Sequence, residues 1–196
     1  FDTEIQNKSE LKRNEKFTLS YIGVLEQLRN PEVLWQVLNE IITENQEFKD
    51  HFELKFVGRI DDKIIRKIQN TPLHNTVNNL GYLSHSESNK EMQKSDVLMV
   101  TNFPDKKSKG IIPGKIFEYL ATGKTVLSFG PKGADVARIL EETKAGHHFN
   151  FDQKEEVKTF LLQQFEFWKN NEKQRNQSRI DQYSRRNLTH RLSEIL

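Results

Sequence analysis

Apolar residues in this chain fall in short runs between polar stretches, and the runs alternate between two periods. "FTLSYIG" (17–23) and "FELKFVG" (52–58) are β-branched and aromatic, and each stops at a glycine, which predicts two strands. Between them Leu34, Leu38, Ile41 and Ile42 share one helical face. That spacing predicts a helix over 30–48, with Asn30 at the N-cap and Pro31 at the first helical position. "DDKIIRKIQN" (61–70) predicts a helix with Asp61 and Asp62 at its cap, and "NTVNNLGYL" (75–83) a short third strand. "SESNKEMQKS" (86–95) predicts a helix opened by a serine cap, and "DVLMVT" (96–101) a buried strand. After a polar loop (102–112) come a helix (113–122) and a fifth strand, "TVLSFG" (125–130). "ADVARILEETKAG" (134–146) reads as a helix closed by Gly146, and "HHFNF" (147–151) as a sixth strand. From about residue 153 the pattern is helical.

Strands that alternate with helices imply an α/β fold: a Rossmann-like, doubly wound parallel sheet of about six strands, with helices on both faces and a long C-terminal helical extension. Ligands of such sheets sit beyond the C-terminal ends of the strands, at the point where the strand order reverses. Gly23, Gly58, the 102–112 loop and Gly130 occupy those ends.

Composition narrows the function classes. With 196 residues, 35% of them hydrophobic and 30% charged, the chain can bury one good-sized core. A net charge of +2 names no polyanionic partner. The absence of cysteine excludes disulfides and cysteine-ligated metals and fits a reducing cytoplasm. No run approaches the roughly 20 apolar residues that cross a bilayer. The chain opens on "FDTEIQ" without an initiator methionine, which suggests a fragment with residues 1–15 as a linker from an upstream domain.

The densest chemistry lies in "KSKGIIPGKIFEYLATGKTVLSF" (107–129). A nucleoside-triphosphate loop needs G-x-x-x-x-G-K-[ST] between strand and helix. "GIIPGKI" has three spacers, one of them proline, and an isoleucine where the hydroxyl belongs; "EYLATGKT" has glutamate for the first glycine and runs from helix to strand. Gly123 is better explained as the left-handed residue that ends the helix. A simpler phosphate site remains: a helix opened by Pro113 or Gly114 leaves the amides of Gly114, Lys115 and Ile116 unpaired, and such an end attracts anions. Lys115 adds charge, and Glu118, one turn on, can accept hydrogen bonds from a sugar diol. The plainer alternative is a surface helix whose Ile116, Phe117 and Leu120 pack into the core.

The stretch "GIIPGKIFEYLATGKTVLSFGPKGADVARILEETKAG" resembles the donor-binding segment of retaining, nucleotide-sugar-dependent glycosyltransferases of the GT-B fold, above all bacterial members of polysaccharide assembly. "FTLSYIGVLEQLRNPEVL" and "VNNLGYLSHSESNKEMQKSDVLMV" resemble earlier parts of the same C-terminal domain, so the likeness runs in order over roughly 16–150. It implies a donor-binding domain over 16–152 and C-terminal helices (153–196) that partly return toward a missing N-terminal domain, which would hold the acceptor. Glu118 matches the last glutamate of the family's E-x7-E pattern, whose implied task is to bind the donor ribose. The backbone from Ile112 through Pro113, Gly114 and Lys115 to Ile116 matches the loop that faces the diphosphate. Gly23 matches the glycine after the first strand. Arg29, the only cation soon after it, is the candidate diphosphate contact, and Tyr82 and Leu83, closing the third strand, match the positions that bracket the base.

Two departures stand out. The first glutamate of E-x7-E falls on Gly110, and the usual arginine–lysine pair after the first strand is reduced to Arg29. Lys109 and Lys115 can supply the lost charge, so Arg29 and Lys115 are the candidates for stabilising the leaving diphosphate. The implied reaction moves a glycosyl group from a UDP- or GDP-type sugar to an acceptor hydroxyl, without a metal or resident cofactor. Asp61 and Asp62 are adjacent rather than D-x-D, and His147 and His148 on a strand point to opposite faces. Lys173, Arg175, Arg179, Arg185, Arg186 and Arg191 suit a solvated helix face or contact with the inner face of a membrane; nucleic acid is not expected. A non-catalytic nucleotide-binding or interaction module and a nucleotide-sugar epimerase-like domain are the competing readings.

Overall fold

A computed structural model describes residues 15–172 and 180–193. Six parallel strands form one sheet: β1 (Phe17–Leu25), β2 (Phe52–Ile60), β3 (Val77–Asn79), β4 (Val97–Thr101), β5 (Thr125–Phe129) and β6 (Gly146–Phe149), in the order β3-β2-β1-β4-β5-β6. The chain builds outward from β1 to β3 and then crosses to β4, so the order reverses between β1 and β4. This is the doubly wound α/β fold the alternation predicts.

Alternate residues of each strand feed two cores. On one face α1 (Glu32–Glu44), α2 (Gln46–His51), α3 (Asp62–Gln69) and α7 (Lys154–Lys169) cover Leu19, Tyr21, Leu54 and Phe56. On the other α4 (His85–Lys94), α5 (Lys115–Thr122) and α6 (Asp135–Thr143) cover Ile22, Val57, Leu98 and Val100. Aromatic rings dominate the first core: Phe48 stacks on Phe52 at 4.8 Å and meets Phe165 edge-on at 4.9 Å. Each such buried ring contributes about 1.5–3 kcal/mol, and together they hold α7 on the sheet. Charge enters the second face once in mid-strand. Lys55 is buried in β2 and pairs with Glu91 of α4 at 2.9 Å and Glu53 at 3.2 Å. Burial pulls its pKa down, but the two carboxylates more than offset this and leave it above the ordinary lysine value.

Several boundaries differ from the sequence pattern. β1 and β2 do not stop at Gly23 and Gly58: the ladder continues through Val24 opposite Arg59 and Leu25 opposite Ile60. Both glycines have positive φ, 135° and 108°, and lie opposite each other. A Cβ on Gly58 would stand 2.2 Å from the Gly23 carbonyl oxygen, so the backbones approach as only glycine allows. The 30–48 helix is two helices broken at Asn45, whose side chain caps α2 by accepting from the Phe48 amide. Asn30 is not the cap of α1; Pro31 is, and the Asn30 side chain instead accepts from the Trp35 indole at 2.6 Å. The third strand ends at Asn79, short of Tyr82 and Leu83. α4 is opened by Ser84, two residues earlier than expected, through a full capping box with Glu87. Lys144, in the left-handed region, closes α6, and Gly146 opens β6, where a side chain would collide with the Val126 backbone. Gly123 ends α5 in the left-handed conformation and Asp61 caps α3, as expected.

Residues 1–14 of the expected linker (1–15), with Lys173, Arg175 and Arg179, lie outside the described residues. After them the chain is found on the second face: Ile180 is buried there, and Tyr183 packs 5.7 Å from Phe117 while its hydroxyl bonds Glu142 at 2.8 Å. α8 (Arg185–Ser193) follows, with Arg186 exposed. Among the described residues no helix is long and apolar enough to cross a membrane.

Candidate functional site

The site forms where β1 and β4 part. Tyr119 is fully buried, and its hydroxyl donates to the Ile22 carbonyl at 3.4 Å, docking α5 against the end of β1. Burial pushes this phenol far up, so it stays protonated. One turn earlier on α5, the Lys115 side chain lies over Gly23: a Cβ on Gly23 would meet Lys115 Cε at 3.0 Å and Nζ at 3.3 Å. The expected pair of glycine and lysine is thus brought together, and the absent side chain at 23 is what lets the lysine in.

Lys115 is half-buried, and no described residue pairs with its ammonium. Burial holds its pKa below the ordinary value, only partly countered by Glu118. Glu118 is itself half-exposed and has no hydrogen bond or ion pair among the described residues. α5 begins at Lys115, with Gly114 as its cap and no side chain serving that cap. The amides of Gly114 and Lys115 find no acceptor, but Ile116 N–H donates to Pro113 O at 2.9 Å and its side chain is buried. Ile116 therefore drops out as a free amide: the first turn is tight, and its third amide is already used. Open space surrounds Gly114, and Ile112 is exposed.

The loop before α5 is ordered by two buried residues the sequence pattern passed over. The Asn102 amide donates to Ser108 O at 3.2 Å and Ile111 O at 2.9 Å, and the Ser108 hydroxyl donates to Phe103 O and Asp105 O at 2.7 Å. The loop is strapped to the next one by Asp135 N–H, which donates to Lys109 O at 2.9 Å. Lys109 is exposed, and its Nζ lies near Gly133, on the β5–α6 side.

Arg29 ends a 3-10 turn after β1. Its guanidinium donates to Val24 O at 3.0 Å and Glu26 at 3.1 Å and lies 5.5 Å from the Phe103 ring, while its carbonyl accepts from Thr101. It braces the β1 turn against β4. A cation missed by pattern reading stands nearby: Arg59, one residue past Gly58 and in register with Val24, lines a pocket of about 460 Å³ with Lys63, Arg66, Asp61 and Asp62. Tyr82 and Leu83 follow β3 in a loop; the Tyr82 ring is 91% exposed, and Leu83 packs on the second core. His147 faces Phe149 and Phe160, whereas His148 faces Ser128 and Pro131, so the two imidazoles part as expected.

Gly23, a half-buried lysine and two amides without acceptors thus lie together at the end of β1, where the strand order reverses. Residues 16–163 match the family model described as "Glycosyl transferases group 1", and the chain belongs to that family. No match is found among curated proteins. Solved structures of similar fold include HepE of Anabaena in complex with UDP, with TM-score 0.74 at 14% identity over 100% of this chain and 55% of that one. The C-terminal domain of LpcC, a group 1 family glycosyl transferase from Francisella tularensis, has TM-score 0.63 at 13% identity over 88% of this chain and 91% of the domain. Sucrose-phosphate synthase of Thermosynechococcus elongatus has TM-score 0.69 at 15% identity over 100% and 50%. The chain thus spans about half the length of HepE and the synthase.

Proposed function

We propose that this chain is the donor-binding half of a glycosyltransferase that takes a sugar from a nucleotide diphosphate and passes it to an acceptor hydroxyl held by a second domain, in polysaccharide or glycolipid assembly. One observation carries the reading: an unpaired, half-buried ammonium at Lys115 lies against Gly23, beside the free amides of Gly114 and Lys115. A desolvated cation with no direct ion pair, only partly countered by Glu118, suits an anion from outside. The unpaired carboxylate of Glu118, one turn along, suits the vicinal hydroxyls of a ribose, and the exposed Tyr82 ring offers a face for the base. HepE, of like fold, has been solved with UDP-glucose.

In this reading the domain supplies no nucleophile. Lys115 and the α5 amides hold the diphosphate and meet the charge that grows on it as the glycosidic bond breaks, preorganised where water would have to reorient. Gly110, in place of a carboxylate, favours the alternative of a nucleotide-binding module without transfer activity. Thermal melting with UDP and GDP tests the donor site. A ligand at 100 times its Kd stabilises by about 2.7 kcal/mol, which is roughly 5–10 °C at this size. The shift should occur for one nucleotide and shrink at least severalfold in Glu118→Ala. No shift with either nucleotide rejects the reading.

A further inference from the structure

We propose that Asp135 is a specificity-determining residue: its carboxylate accepts hydrogen bonds from hydroxyls of the transferred sugar, in the space that Gly110 leaves open. The inference rests on the donor reading above. In that reading Glu118 marks the ribose, and Gly114 and Lys115 mark the diphosphate. The ligand then runs backward along the chain, and its sugar end falls beside the preceding loop, at Gly110. Gly110 has no side chain to offer and does not need to be glycine for its backbone, since its φ is not in the left-handed region. A Cβ built there meets one atom within 4 Å, Asp135 Oδ2 at 3.9 Å. The acidic group at that spot thus comes from α6 rather than from the loop itself.

Asp135 is held firmly and yet left open. Its amide donates to Lys109 O, which ties the start of α6 to the residue before Gly110. The turn leading into it is fixed from below, where His148 Nε2 donates to Pro131 O at 3.2 Å. The carboxylate makes no cap: Ala134 holds the N-cap position of α6, and no side chain serves it. Its recorded partner is Arg138, at 3.4 Å and 68% exposed, a pair too long and too wet to occupy it. A carboxylate on a fixed backbone, with free lone pairs, suits a sugar diol, because charge-assisted hydrogen bonds are the strong ones.

The test is calorimetric titration of the 196-residue chain with UDP, UDP-glucose, UDP-N-acetylglucosamine, GDP and GDP-mannose. Asp135→Ala should weaken the bound nucleotide sugar about tenfold relative to its nucleoside diphosphate, the loss expected for one charge-assisted contact. The nucleoside diphosphate itself should bind as before. Gly110→Glu added to Asp135→Ala should restore the preference, since the carboxylate returns on the neighbouring loop. Arg138→Ala should leave the preference intact. Equal weakening of diphosphate and sugar conjugate would mean a structural role and overturn the proposal, as would an unchanged ratio. If Asp135→Ala melts too low to titrate, Asp135→Asn, which keeps the shape, should give the same selective loss in smaller measure. A wild-type chain that binds no nucleotide defeats the donor reading itself, a result distinct from either.

Discussion

Replacing Lys115 by methionine should move two measurements in opposite directions. The ammonium is half-buried beside Gly23 without an ion pair, and burial holds its pKa below 10.5. Methionine keeps much of the stem and removes the desolvated charge, so the ligand-free chain should gain about 0.5–1 kcal/mol, the usual scale for relieving a functional site. At this size that is roughly 1–4 °C in Tm. With nucleotide the sign reverses. Loss of a charged contact to phosphate is worth about 1.5–3 kcal/mol, or roughly 10- to 150-fold in Kd. At a ligand concentration 100 times the wild-type Kd, a hundredfold weaker variant gains only about 0.4 kcal/mol against about 2.7 for wild type. Melting curves with and without nucleotide read both effects. The pH dependence adds a check. Because the folded pKa is the lower one, the unfolded chain holds more protons just below 10.5, and wild-type stability rises with pH in that window. The variant lacks this rise, so the gap between the two should narrow. A ligand-free variant less stable than wild type, or one that keeps its ligand shift, would refute the reasoning.

Two further outcomes concern the frame of the site. Gly58→Ala should cost at least about 2–3 kcal/mol, since it adds a side chain at φ 108° within 2.2 Å of the Gly23 oxygen; a urea midpoint within error of wild type would show that the close approach can relax. His148 accepts from the Ser128 hydroxyl at 2.9 Å and donates to Pro131 O, and burial lowers its pKa below 6.5 despite the Pro131 contact. The unfolded chain then binds the extra proton as pH falls past 6.5, so stability present above that value is lost below it. His148→Gln should flatten this part of the urea-midpoint profile, and an unchanged slope would assign the loss elsewhere.

The six strands and their parallel pairing could be read from short apolar runs that alternate with helical periods, because the strands bury both faces and the helices one, and Pro113-Gly114 marked the start of α5. What could not be read came from long-range fit. Gly23 and Gly58 look like strand ends until they are seen facing each other, when they become the means by which two strands pass through a tight spot. Tyr119 is one apolar position among several in "KIFEYL", and only its hydroxyl on Ile22 reveals that it sets the placement of Lys115. Asn102 and Ser108 read as loop polarity, yet they are buried and hold the 102–112 loop closed. Arg59 and Asp135 belong to neighbouring strands or helices of the residues they stand beside, so no spacing along the chain could point to them. Ile116 shows the converse, since its position suggested a free amide and a local turn had already used it.

The chain lies on one side of the sheet at α7 and on the other from Ile180. α7 completes the aromatic cluster around Phe48, whereas Ile180 and Tyr183 serve the opposite side, behind Phe117 on the helix that carries Lys115. Shortening the protein just after α7 would therefore leave the larger aromatic cluster whole and strip the backing from the helix that matters for ligand. Such a product should express and melt like a sound protein while, under the proposed donor role, gripping a nucleotide loosely, and a screen that selects trimmed forms by yield alone would keep it.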